Sequence, residues 1–131
     1  MHEDRNIIVK KWFSKADNDL KNIENNLTSK DIPADTLCFH SQQAIEKLIK
    51  GSLVYFEQDI SKTHDLVKLL TEITPFIPEL SPLEEDMERI SEFAVETRYP
   101  DAFYEPSLEE AKEAYKVALK VKEIVLDKIK I

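Results

Sequence analysis

Residues 34–57 read ADTLCFHSQQAIEKLIKGSLVYFE, and the period of their apolar positions decides the fold. Leu37, Ser41, Ala44, Ile45, Leu48, Ile49, Ser52, Tyr55 and Phe56 recur at intervals of three and four, the spacing that gathers side chains on one side of an α-helix. Glu46, Lys50 and Glu57 collect on the other side, where a solvated face is expected. A flank between the two carries His40, Ala44, Lys47 and Gly51, with Gln43 beside them. Glycine inside a helix costs about 1 kcal/mol relative to alanine, so Gly51 predicts that another helix passes close by. Pro33 suits the first turn of this helix.

The same period extends outward in both directions. From about Asn6 to Thr28, Ile8, Trp12, Ala16, Leu20, Ile23 and Leu27 form one stripe, widened by Val9 and Phe13, with Asp17, Lys21 and Glu24 facing water. Downstream, a short helix buries Leu66, Leu69, Leu70 and Ile73, and the proline-rich TPFIPELSP ends it. Ser81-Pro82-Leu83-Glu84 reads as a capping box opening a helix that reaches about Thr97 and buries Leu83, Met87, Ile90, Phe93 and Ala94. Ser107-Leu108-Glu109-Glu110 is a second capping box, opening a last helix with Leu108, Ala111, Tyr115, Ala118, Val125 and Ile129 inward. No strand pattern, repeat or domain linker interrupts the series. The expected architecture is a single all-α domain over residues 1–131: an antiparallel up-and-down bundle of four long helices plus one short one.

Composition narrows the chemistry. The 131 residues are 42% hydrophobic and 34% charged, enough for one real core. A single glycine removes phosphate-cradling glycine loops. The net charge of −8 disfavours an extended nucleic-acid surface, because such binding needs Lys and Arg against phosphate. Cys38 is the only cysteine, so no intrachain disulfide forms and a reducing cytoplasm is the expected compartment. The charged start MHEDRNIIVKKWF and the lack of a long apolar run predict no membrane span. Cys38 and His40 are too few for a metal centre, and no cofactor is expected.

Short connections predict that the third helix descends from the end where the second finishes, that the fourth climbs back, and that the fifth starts at the same end. On that path Ser61–His64 and Arg98–Tyr104 meet at one end of the bundle and His40 lies at the other. The meeting would create a candidate anion site. Lys62, the Thr63 hydroxyl, His64 and the backbone N–H groups of a helix start face an arginine able to make a two-pronged contact with phosphate or carboxylate. Tyr99 and Tyr104 would be available for base stacking. The plainer alternative makes Thr63 a helix cap and sets Arg98 on the last carbonyls of its helix or on Glu96 or Asp101.

FHSQQAIEKLIKGSLVYF, KTHDLVKLL and AVETRYPDAFYEPSLEEAKEAYKVALKVKEIV, with WFSKADNDLKNIENNL at the front, together resemble the HEPN domains across nearly the whole chain. The resemblance implies an all-α bundle that forms a homodimer and binds nucleotide. It also implies a small nucleotidyltransferase as partner, often in a toxin–antitoxin pair. Many such domains are metal-independent ribonucleases marked by an arginine and a histidine with four to six residues between them, where Arg stabilises charge on the phosphate and His moves protons. Arg98 matches that arginine, but Phe103, Tyr104 and Glu105 stand at the histidine positions. A ribonuclease reading would therefore rest on Arg98 with His64. Tyr104 is also displaced by one residue from a tyrosine that partner transferases modify.

Overall fold

The computed structural model describes residues 2–96 and 105–131 of the chain, the side chains of 94–96 excepted. Its helices are α1 (His2–Leu27), α2 (Ala34–Tyr55), α3 (Leu66–Ile73), α4 (Glu84–Glu96) and α5 (Leu108–Lys128), and no strand occurs among the described residues. The four long helices form the antiparallel up-and-down bundle that the periodicity predicts. α2 is its axis: Leu37, Cys38, Ala44, Ile45, Leu48, Ile49 and Leu53 are all buried, and α1, α3, α4 and α5 pack around it. No described helix is long and apolar enough to cross a membrane.

Side-chain contacts fix the direction of each helix. Arg5 near the start of α1 lies 4.4 Å from the centroid of the Tyr55 ring and donates to the Tyr55 carbonyl, an otherwise unsatisfied acceptor at the end of α2. α1 therefore runs antiparallel to α2. Lys122 pairs with Asp17, and the Tyr115 hydroxyl donates to Glu24, so α5 runs antiparallel to α1 and parallel to α2. α5 accordingly starts beside the beginning of α2. There burial, and then the charges of Glu110 and Asp35, push the Cys38 thiol from 9.0 up to about 12. At the opposite end Lys128 pairs with Glu79, and Phe56 stacks on Phe76 at 4.9 Å.

Gly51 marks a close helix crossing, as expected. A Cβ there would stand 2.8 Å from Phe13 Cε1 and 2.9 Å from Trp12 Cβ, so α1 packs directly on the α2 backbone. The buried stripe of α1 is Val9, Phe13, Ala16, Leu20 and Ile23, rotated from the expected one so that Ile8 is half-exposed. At the head of α5 both halves of the capping box form, Glu110 N–H to Ser107 Oγ and Ser107 N–H to Glu110 Oε1, each at 3.0 Å. Ser81 makes no such box: Pro78–Leu83 is a 3₁₀ turn that runs straight into α4, with the Glu84 N–H on the Ser81 carbonyl. Two prolines suit that tighter turn, since each removes a donor that an α-helix would need.

The expected course of the third helix is overturned. α2 ends in a Schellman turn: Glu57 N–H donates to the Val54 carbonyl and Gln58 N–H to that of Leu53, with Glu57 held at φ 60°. The chain then doubles back alongside α2 over residues 57–65, and the His64 carbonyl accepts from Gln42 Nε2 at 2.9 Å. α3 thus ascends parallel to α2, α4 descends and α5 ascends. The α4–α5 connection consequently falls at the end of the bundle where α2 begins, which is the His40 end rather than the opposite one.

Candidate functional site

Most of α2 is enclosed, and this changes the fate of its charged face. Glu46 and Lys50, expected in solvent, are buried. A carboxylate and an ammonium can leave water together only when each finds partners. Lys50 Nζ donates to Glu46 Oε2 at 3.1 Å, one helical turn away. The other oxygen, Oε1, receives Gln42 Nε2 at 3.2 Å and lies 3.0 Å from His64 Nδ1. A carboxylate oxygen can only accept, so Nδ1 carries the proton, and Nε2 is the ring nitrogen left to meet a ligand. The His64 side chain is 64% exposed, against 6% for Glu46 and 7% for Lys50.

The turn around His64 is ordered by local bonds. The Asp65 N–H donates to Thr63 Oγ1 at 3.0 Å, which leaves the Thr63 hydroxyl proton available to an outside acceptor. Asp65, not Thr63, caps α3, accepting from the Val67 N–H at 3.0 Å, and the Leu66 N–H goes to Ser91 Oγ at 3.2 Å. The three amides of Asp65, Leu66 and Val67 are therefore used internally, not left for an anion, and a carboxylate sits at the helix start. The described donors at this point are the His64 ring, the Thr63 hydroxyl and the exposed Lys62 ammonium.

A second cluster repeats the design on the neighbouring flank of α2. The buried carboxylate of Asp19 on α1 holds His40 Nδ1 at 2.7 Å on one oxygen and Lys47 Nζ at 2.6 Å on the other. Gln43 Nε2 bonds Gln42 Oε1 at 2.7 Å between the two clusters. In both, a buried acid sets a histidine tautomer while a lysine balances its charge. Among the described residues no group of three or more His, Cys, Asp and Glu is arranged to hold a metal ion.

Arg98, Tyr99 and Tyr104 lie outside the described residues, as does Asp101. Lys62, Thr63 and His64 are consecutive in the segment before α3, and His40 lies apart from them, bonded to Asp19 of α1. Sequence reasoning missed Gln42, Glu46, Lys50 and Asp19. The signal for three of them was present: positions 42, 46 and 50 form an i, i+4, i+8 row of polar groups able to bond one another.

Searches of curated proteins and of solved structures each returned no significant match. A family model does match, over residues 9–129, and it takes in α2 to α5, all of α1 but its first seven residues, and both histidine clusters. On that span, and on a five-helix all-α architecture that agrees with it, the chain belongs to the HEPN domain family.

Proposed function

We propose that this protein binds a nucleotide through its phosphate at a site built on Lys62, Thr63, His64 and Arg98, with Tyr99 and Tyr104 stacking on the base. In this reading it works as a homodimer and as the partner of a small nucleotidyltransferase. The observation that carries the reading is the His64 ring, exposed to solvent yet oriented by the interior carboxylate of Glu46. Burying an ion pair is costly and often no better than an apolar pair of the same volume. A device that fixes one nitrogen of a surface histidine gives the buried charges a purpose. Family membership supports a nucleotide- or RNA-related role. The path of the chain supports the residue set, because α4 descends past Leu66 at Ser91, and Arg98 follows its last residue by two positions in sequence.

Calorimetry with AMP, ADP and ATP tests the proposal. Binding in the micromolar range is expected, weakened at least tenfold, or about 1.4 kcal/mol, by Arg98→Ala and by His64→Ala. Absence of heat with every nucleotide removes it. Copurification with a co-expressed small nucleotidyltransferase tests the partner.

The Glu46–His64 pair also favours a second reading, a ribonuclease that needs no metal. A histidine oriented by a carboxylate can exchange a proton at Nε2, and an arginine can stabilise charge on phosphate. RNA cleavage in the presence of chelator, abolished by both Arg98→Ala and His64→Ala, would establish it.

A further inference from the structure

The cluster around Asp19 takes no part in the site on His64, yet its polar atoms end at the surface. Asp19 gives one carboxylate oxygen to His40 Nδ1 and the other to Lys47 Nζ, at 2.7 and 2.6 Å. The Asp19 side chain is 9% exposed, against 20% for His40 and 22% for Lys47. One lysine already balances the charge of the acid, so neutrality does not require the histidine. His40 donates through Nδ1, which leaves Nε2 for a ligand, and Lys47 keeps two N–H groups that Asp19 does not use. Phe39 meets the His40 ring edge-on, with centroids 5.3 Å apart, so the ring is held by a packing contact as well as by the acid.

The α1 side of this cluster is basic. One and two turns before Asp19, on the same side of α1, stand Lys15 and Lys11. Both are exposed, and neither has an ion-pair partner among the described residues. Two lysines four residues apart destabilise a helix slightly. Beyond Asp19 the row continues with Asn22 and Asn26, which carry no charge.

The other carboxylates of these elements stand elsewhere or are already engaged. On α1, Asp17 pairs with Lys122 and Glu24 accepts from Tyr115, both of α5, while Glu3 and Asp4 lie in the first turn, two turns beyond Lys11. On α2, Glu46 is held by Lys50, Gln42 and His64, and Asp35 acts with Glu110 on Cys38. Lys30 and Asp31 cancel in the α1–α2 turn, and the segment 57–65, with Glu57, Asp59, Asp65 and Lys62, joins α2 on its Glu46 flank. On a chain of net charge −8, the strip of Lys11, Lys15 and Lys47 therefore faces a single carboxylate, and that one is buried.

We propose that Lys15, His40 and Lys47 bind a phosphate group, inorganic or at the end of a phosphomonoester, at a site separate from the one on His64. The two ammonium groups supply charge and N–H donors, and His40 Nε2 shares a proton with a phosphate oxygen. Lys11 strengthens the local field. Asp19 is a positioning residue: it touches no ligand, but it fixes the imidazole and one ammonium side by side. The bound anion answers the repulsion among lysines that the fold leaves unrelieved.

The test titrates the full chain with sodium phosphate at constant pH and ionic strength, following the ring nitrogens of His40 and His64 by NMR. His40 Nε2 is expected to shift with a dissociation constant on the order of 1 mM. Lys11→Glu/Lys15→Glu should weaken that response about tenfold or more. Lys10→Glu/Lys21→Glu makes the same charge change in the row of Asp17, on the α5 side of α1, and should leave it within about twofold. All four lysines are exposed, so both variants should keep the helical signal of wild type. His64→Ala should leave the His40 response intact, which separates this site from the one proposed above. An unmoved His40 at ~20 mM phosphate, well above the expected constant, would overturn the site, as would equal weakening by the two lysine pairs. A His40 response that vanishes with His64→Ala would also overturn it, by showing one shared site. AMP titrated in parallel distinguishes the source: whichever ligand binds more tightly at His40 names it, and either result upholds a phosphate site.

Discussion

Replacing Glu46 by leucine should destabilise the protein far more than replacing Glu46 and Lys50 together. In the native structure the Lys50 ammonium lies 3.1 Å from Glu46 and both side chains are almost wholly buried. Leucine fills a similar volume but leaves that ammonium without a counter-charge, a situation that costs about 3–5 kcal/mol. For a chain of this length each kcal/mol moves the melting temperature by roughly 4 °C, so Glu46→Leu should melt about 12–20 °C lower. Lys50→Met alone costs less, because Gln42 and His64 still contact the carboxylate. The double variant Glu46→Leu/Lys50→Met removes both charges and should return to within about 1 kcal/mol of wild type, since an apolar pair can replace a buried ion pair. Urea titrations of the four proteins give the coupling energy. The double variant then separates stability from binding. It is folded, but nothing holds His64 Nδ1, and nucleotide affinity should fall at least tenfold. Additive single effects, or a double variant that binds like wild type, would refute the reasoning.

Three further outcomes follow from the packing. Gly51→Ala should lower stability by about 1–2 kcal/mol in urea titration: the added methyl meets Trp12 Cβ, which is fixed to the α1 backbone, and the overpacking cost of roughly 1–3 kcal/mol exceeds the gain in helix propensity. Glu57→Gly should raise stability by about 1 kcal/mol, because glycine accepts the φ of 60° without steric cost. The Cys38 thiol stays protonated in the folded state to about pH 12, whereas the unfolded thiol ionises near 9.0, so its contribution to stability is intact below pH 9.0 and falls with rising pH above it. Cys38→Ala should flatten that part of a stability-against-pH curve, and a thiol reagent at pH 8 should label Cys38 only as fast as the protein opens.

The helices were legible in the sequence because each long segment repeats its apolar residues with one period, and Ser107 with Glu110 announced the start of α5 unambiguously. What could not be read was where charge would be buried. Glu46 and Lys50 have the spacing of a wet face, and only the enclosure of α2 by four other helices turns that face inward. The reversal after α2 was hidden for a different reason: a Schellman turn usually shows itself by glycine, and here Glu57 occupies the left-handed position. The error in the direction of α3 moved the α4–α5 connection from one end of the bundle to the other. It left Lys62, Thr63 and His64 on the half toward which α4 descends, since the doubled-back segment 57–65 carries them down as well.

That doubled-back segment has a consequence for motion. α3 is only eight residues long, and the loop before it is tied down by Gln42 on the His64 carbonyl and by Ser91 on the Leu66 amide. Loop and short helix together form a small unit held by these bonds and by the buried face of α3, and small units of this kind can open before the whole molecule unfolds. Lys62, Thr63 and His64 of the proposed phosphate site belong to it. A bound ligand that bridges this unit to the rest of the bundle would therefore act as a latch, slowing amide exchange in α3 while leaving the rates deep in α2 unchanged.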